Sequence, residues 1–70
     1  MILTATQAKA IYTAMQTMNN VGMRGQFRRE SIIVNEYADG VVHVLSSGGP
    51  WPDVESYRSQ QAFAEAYGLA

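Results

Sequence analysis

The sequence predicts an α+β fold in which two helices pack on one face of a small antiparallel sheet. Three observations favour it: a capped amphipathic stretch near the amino terminus, an Asp39-Gly40 turn between two apolar runs, and a second capped stretch near the carboxyl terminus. The chain has 70 residues, of which 47% are hydrophobic and 16% are charged, and this is typical of one globular domain. We therefore expect a single domain over residues 1–70, ordered helix, β-hairpin, short third strand and helix.

The first helix is predicted to begin at Thr4. In the segment 4–7, the Thr4 hydroxyl and the Gln7 amide can each satisfy a backbone N–H that a helix start leaves unpaired. Apolar residues then recur at three- and four-residue spacing, as on one face of a helix: Ala8, Ile11, Tyr12, Met15 and Met18. Residues 19–22 include asparagines and a glycine that tolerate positive φ, so we expect the helix to end there.

A β-hairpin is predicted over the range from Ser31 to Ser47. Its turn is Asp39-Gly40, which suits a two-residue type I′ turn because both central residues of that turn need positive φ. Residues 23–30 precede the hairpin, and Gly25 in this stretch could mark either a turn or a bulge. We interpret this stretch as a loop that passes into a strand.

The type I′ turn decides which side chains share a face of the hairpin, since it sets the register of both strands. It places Tyr37 opposite Val42. One face then carries Ile33, Tyr37, Val42 and Val44, and the other carries Ile32, Val34, Val41 and Leu45. The second face is the more uniformly aliphatic of the two and suits a core, so Tyr37, Val42 and Val44 are predicted to form an interface with a partner. A ribbon that is apolar on both faces needs more cover than two small helices provide.

The segment 53–58 has two interpretations, a helix or a short third strand. A helix starting at Asp53 would put its apolar residues on opposite sides, so the strand is favoured. Ser59 then caps the second helix, and Gly68 ends it in a left-handed conformation, with Leu69 folding back toward Phe63.

Trp51 lies between two prolines and is a further predicted interface residue. A tryptophan in a semi-rigid segment offers a large contact area at low entropic cost. The alternative is that Trp51 covers the core of its own chain.

Catalytic and cofactor chemistry has little support in this sequence. Cysteine is absent and His43 is the one histidine, so a metal site has few ligands available. We expect His43 to pair with Glu36 across the hairpin. The serines have no recognisable base in a nucleophile motif, and Gly48-Gly49 lacks the residues of a phosphate-binding loop. We therefore predict no enzyme activity, no metal and no cofactor.

Arg24, Arg28 and Arg29 around Phe27 form the basis of an alternative function, nucleic-acid binding. Guanidinium groups bind phosphate and an aromatic ring can stack on a base. The net charge of −1 and the absence of a readable nucleic-acid-binding motif disfavour it. A solvated strand face, or contact with the acidic half of a second copy, explains the same arginines.

Every acid follows Arg24, Arg28 and Arg29 in the chain, so the sequence predicts a molecule with a positive and a negative end.

The compact build, with a capped helix, a tight hairpin and the ending from Ser59 to Leu69, resembles the short accessory proteins of tailed phages and other mobile elements. This resemblance implies a non-enzymatic protein that binds and inhibits a host protein or defence complex, as anti-CRISPR proteins do. It also implies a homodimer. The sequence shows neither a signal peptide nor a membrane span, so we expect a cytoplasmic protein, in the host cell if a phage encodes it.

Overall fold

The computed structural model describes residues 2–47 and 53–69. Its elements are α1 (Ala5–Asn20), β1 (Gln26–Arg29), β2 (Ile32–Glu36), β3 (Val42–Ser46), β4 (Asp53–Tyr57) and α2 (Gln60–Ala66). The four strands form one antiparallel sheet in the order β1-β2-β3-β4. The α+β class is thereby confirmed, and the sheet has one strand, β1, beyond the hairpin and the third strand that the sequence predicts. The predicted interface residue Trp51 lies outside the described residues.

Helix α1 begins and ends at the residues that its sequence predicts. The Gln7 backbone N–H donates to the Thr4 hydroxyl over 3.1 Å, and the Thr4 backbone N–H donates to the Gln7 amide oxygen over 3.0 Å. The predicted capping box is confirmed. At the other end, Gly22 has a φ of 76° and the Met23 N–H donates to the Met18 carbonyl over 2.8 Å. This pairing is the Schellman motif, which satisfies carbonyls left over at a helix end.

Helix α2 also has the predicted caps. The Ser59 hydroxyl accepts a hydrogen bond from the Ala62 N–H over 3.0 Å. Gly68 has a φ of 71°, and the Leu69 N–H returns to the Ala64 carbonyl over 2.8 Å. The Leu69 side chain then packs against the core, as expected for the residue after a left-handed cap.

The turn between β2 and β3 is one residue longer than predicted. Gly40 has a φ of 93°, but Asp39 does not adopt positive φ, so the predicted two-residue type I′ turn is wrong. The Tyr37 N–H donates to the Val41 carbonyl over 2.9 Å, which leaves residues 38–40 as a three-residue loop. The Asp39 carboxylate accepts a hydrogen bond from the Val41 N–H over 3.1 Å, and this holds Asp39 in a turn that needs one left-handed residue.

The longer loop shifts the register of the hairpin by one residue. Val34 lies opposite Val44, and Glu36 lies opposite Val42. Because side chains alternate between faces, a shift of one residue exchanges the two faces of β3 relative to β2. Val42 and Val44 are therefore fully buried on the covered face, and the prediction that they lie on an open face is wrong.

One hydrophobic core joins both helices to a single face of the sheet. Its buried residues are Leu3, Ala8, Ile11, Met15, Ile32, Val34, Val42, Val44 and Phe63. The largest of them that is fully buried is Phe63 from α2, and Met15 from α1 comes next. Since the strand residues of this core alternate with others that do not belong to it, both helices pack on the same face.

A buried polar network ties the two helices to the end of β2. Glu36 is only 6% exposed, and one of its carboxylate oxygens accepts a hydrogen bond from the Asn19 amide over 2.9 Å. The Asn19 amide oxygen in turn accepts from the Gln60 amide over 2.9 Å. A carboxylate is costly to bury unless hydrogen bonds compensate it; here Asn19 of α1 donates to it, and Gln60 of α2 holds Asn19 in place.

Candidate binding face

The face of the sheet that points away from the helices is the candidate functional site. We call it the open face; its strand residues are Gln26, Arg28, Ile33, Asn35, His43, Leu45, Val54 and Ser56. None of these residues belongs to the hydrophobic core. Within the described residues, both helices lie on the opposite side of the sheet, so no helix covers the open face.

Antiparallel pairing arranges the open face in two rows that cross all four strands. The first row is Arg28, Ile33, Leu45 and Val54, and we call its last three members the apolar row. Val54 is 58% exposed, and the other two apolar residues are half-buried. The second row is polar and consists of Gln26, Asn35, His43 and Ser56. The open face therefore combines an apolar row with a polar row directly beside it.

An aromatic pair extends the open face toward the β2–β3 loop. The rings of Tyr37 and His43 lie edge to face, with their centroids 4.9 Å apart. Together with Ala38, Asp39 and Val41 they line a shallow recess of about 630 Å³. Tyr37 is 44% exposed, so its ring is accessible to a partner.

The environment of His43 differs from the predicted one. It lies opposite Asn35 in the sheet, because the register is shifted by one residue. Glu36 lies on the covered face and binds Asn19. The predicted pair of His43 with Glu36 is therefore wrong, and the neighbour that His43 does contact is Tyr37.

Of the predicted nucleic-acid contacts, Phe27, Arg28 and Arg29 line one recess beside α1, and Arg24 is not part of it. The Arg24 guanidinium donates hydrogen bonds to the carbonyls of Tyr37 and Ala38, over 3.2 and 2.9 Å, and so holds the β2–β3 loop. Arg28 and Arg29 are successive residues of β1 and point to opposite faces of the sheet. The ring of Phe27 is half-buried and packs against the core.

The sequence predicted one described residue of the open face as an interface residue, Tyr37. Leu45 and Val54 were missed in that role, Leu45 because the assumed turn assigned it to the core. The position of Val54 on the open face follows from strand alternation, once residues 53–57 are taken as a strand that pairs with β3 and sets Val54 opposite Leu45. The signal that would have found both residues is the length of the β2–β3 loop, which local sequence leaves ambiguous.

A second polar cluster lies on the helix side of β4. The Tyr67 hydroxyl donates to a Glu55 carboxylate oxygen over 2.6 Å, and the Tyr57 hydroxyl donates to the same oxygen over 3.1 Å. The Leu3 N–H donates to the Tyr67 oxygen over 3.2 Å. Burial tends to raise the pKa of Glu55, but the hydrogen bonds that it accepts outweigh burial and lower the pKa below its ordinary value. Burial, and then the bond to Glu55, raise the pKa of Tyr67. This cluster fastens the amino-terminal segment to α2 and β4.

We expect Tyr67→Phe to raise the pKa of Glu55 toward its ordinary value, because the shortest hydrogen bond to the carboxylate is lost. A carboxylate whose pKa is lower in the folded state contributes stability above its unfolded pKa, and loses it as the pH falls through the folded pKa. The wild type should therefore lose stability below about pH 4, and Tyr67→Phe should lose less. Carboxyl NMR titration, with urea unfolding at neutral and acid pH, measures both quantities. Tyr12→Phe is the control, and an unchanged Glu55 pKa in Tyr67→Phe would contradict the expectation.

Comparison with known proteins gives no relative: no family model, no curated protein and no solved structure matches this chain. Within residues 2–47 and 53–69, no group of three His, Cys, Asp or Glu side chains is placed to hold a metal ion. In the same part of the chain, no helix has the length and apolar character needed to cross a membrane.

Proposed function

We propose that this chain is a non-enzymatic binding protein and that its open face contacts a protein partner. The observation that supports this most directly is the apolar row of Ile33, Leu45 and Val54 on the face that the helices leave uncovered. Exposed apolar patches bordered by polar residues commonly mark protein interaction sites. The polar row beside the apolar row provides that border.

The residues at the two margins of the open face indicate the chemistry of the partner. Arg28 lies next to the apolar row at the β1 edge, opposite Ile33, and a guanidinium binds carboxylates well. The Tyr37 ring stands at the β2–β3 loop, beside His43. Tyrosine and arginine are enriched among residues that dominate binding energy. A matching partner presents apolar side chains over the row and an acidic group near Arg28.

The biological setting of the proposal rests on the resemblance to accessory proteins of phages and mobile elements. It makes the partner a host protein or defence complex in the cytoplasm, and it makes the effect of binding an inhibition. The open face supplies the contact surface for this proposal.

The test is the substitution Leu45→Lys in the centre of the open face. Wild type and variant are immobilised in parallel, exposed to a host lysate, and the captured proteins are identified by mass spectrometry. We expect Leu45→Lys to lose the specific partner, and to bind that partner at least about tenfold more weakly once it is purified, a change of about 1.4 kcal/mol. Circular dichroism checks that the variant is folded.

Gln16→Lys, on the exposed side of α1, is the matched control, since it adds the same charge away from the open face. A partner that Leu45→Lys binds as tightly as the wild type does would place binding elsewhere on the molecule. Retention on a phosphate matrix with a steep salt dependence would instead favour the nucleic-acid alternative.

A further inference from the structure

The two edge strands of the sheet carry charges of opposite sign. β1 contains Arg28 and Arg29, and β4 contains Asp53 and Glu55. Within the described residues, β1 pairs with β2 alone and β4 pairs with β3 alone, so each has one edge with no strand beside it. Such an edge can add a further strand through its backbone groups, and proteins commonly guard it with charged side chains.

The signs of these charges discriminate between the pairings that the two edges could make. Charges of one sign on both edges would repel every edge-to-edge contact between copies. Here, a β1 edge beside another β1 edge gathers four arginines, and a β4 edge beside another β4 edge gathers four acids. Pairing of β1 with β4 brings opposite charges together, which stabilises cross-strand pairs. The charges therefore disfavour two of the three edge contacts and favour the third.

The strand directions fit this third contact. Successive strands are antiparallel and their number is four, so β1 and β4 run in opposite directions. A second copy in the same orientation therefore places its β1 antiparallel to β4 of the first. The helices of both copies then lie on one side of the extended sheet, and both open faces lie on the other.

One register of this contact pairs all four residues of β1. It sets Arg29 opposite Asp53, both on the helix side of the sheet, and Arg28 opposite Val54, both on the open face. The row of the open face then continues from Val54 of one copy into Arg28 of the next, and the polar row continues in the same way from Ser56 into Gln26. Of the two acids, Asp53 is the one that this register uses, because the Glu55 carboxylate already binds Tyr67, Tyr57 and the Ile2 backbone.

We propose that the β1 edge of one molecule pairs with the β4 edge of a second copy of this chain, head to tail. This inference goes beyond the proposed function and uses the two strand edges, which share Arg28 with the open face. A head-to-tail contact does not close on itself by a two-fold axis, so it gives dimers first and longer assemblies at higher concentration. Linked copies present several open faces on one side, which strengthens binding to a repetitive or oligomeric partner.

The experiment measures the self-association of the full chain by sedimentation velocity. For the wild type, we expect the average mass to rise with concentration between about 10 µM and 1 mM at low salt, and to fall when salt screens the edge charges. Arg29→Glu alone and Asp53→Arg alone are each expected to remain monomeric, because each opposes like charges in the contact. An equimolar mixture of the two variants restores association, since an unaltered β1 edge meets an unaltered β4 edge.

Lys9→Glu and Glu65→Arg are the matched controls, with the same charge reversals on exposed helix positions, and they should associate like the wild type. If a charge reversal prevents folding, Arg29→Gln and Asp53→Asn take its place, with a reduced salt dependence of association expected.

A monomeric wild type at low salt overturns the proposal. So does a mixture that fails to associate, or a control that weakens association equally. Leu45→Lys should leave the assembly unchanged, which separates this result from the test of the open face.

Discussion

Replacement of Val44 by glutamate is expected to unfold the protein. Val44 is fully buried in β3, opposite Val34 and beneath both helices. Removing a buried valine side chain loses about 1.5–3 kcal/mol, and placing a carboxylate there adds the larger cost of desolvating a charge. The core of a domain this small rarely supplies more than about 3–5 kcal/mol of net stability. The substitution therefore exceeds what the fold can absorb.

Far-UV circular dichroism and urea titration measure the effect, and Val54→Glu is the control. Both variants exchange valine for glutamate on neighbouring strands, but Val54 lies on the open face and is 58% exposed. We expect Val54→Glu to shift the free energy of unfolding by about 0.5 kcal/mol or less, as exposed substitutions usually do. A Val44→Glu variant with the dichroism spectrum and urea midpoint of the wild type would show that the observed hairpin register is wrong.

The ends of both helices could be predicted because each is decided within a few residues. Thr4 and Ser59 bind N–H groups three positions ahead, and Gly22 and Gly68 adopt the positive φ that their lack of a Cβ permits. These interactions join residues that are close in the sequence, so they do not depend on how the rest of the chain packs. For that reason the caps are confirmed residue by residue.

The register of the hairpin could not be predicted from the same kind of information. Asp39-Gly40 suits a turn with two left-handed residues and also a longer loop with one, since aspartate tolerates both conformations. The observed loop lets Val42 and Val44 join Val34 under the helices, which is a tertiary gain that no local signal carries. Because the loop is one residue longer than predicted, Val42 and Val44 lie in the core and Leu45 lies on the open face.

Strand β1 was missed as a separate strand because little in its own four residues favours one. Its sequence is Gln26 to Arg29, with one apolar side chain, Phe27, and three polar ones. It becomes a strand because Phe27 lies opposite Val34 and packs against the core. The sequence predicted a basic and an acidic half of the chain. The sheet order places the basic strand β1 and the acidic strand β4 at opposite edges, and this arrangement could not be read from the sequence.

Truncation of Phe63 to alanine is the other substitution with a large expected effect. Phe63 is the largest fully buried side chain, and its ring lies 5.5 Å from the Tyr57 ring and 5.1 Å from the Tyr67 ring between centroids. Loss of a buried phenylalanine ring leaves a cavity and costs about 3–5 kcal/mol. That loss is similar to the whole stability expected of a domain this size, so Phe63→Ala should be mostly unfolded at 25 °C.

Two further variants serve as controls for Phe63→Ala. One keeps an apolar side chain at position 63, and the other removes an aromatic ring at an exposed position. Phe63→Leu keeps an apolar side chain in the core and should lose only about 1–2 kcal/mol, with the fold retained. Tyr37→Ala removes an exposed ring from the open face and should leave the urea midpoint nearly unchanged. The expected order of urea midpoints is therefore Tyr37→Ala, Phe63→Leu, Phe63→Ala, from highest to lowest. Equal midpoints for Phe63→Ala and Tyr37→Ala would mean that α2 does not cover the core, and would contradict the packing of the helices on the sheet.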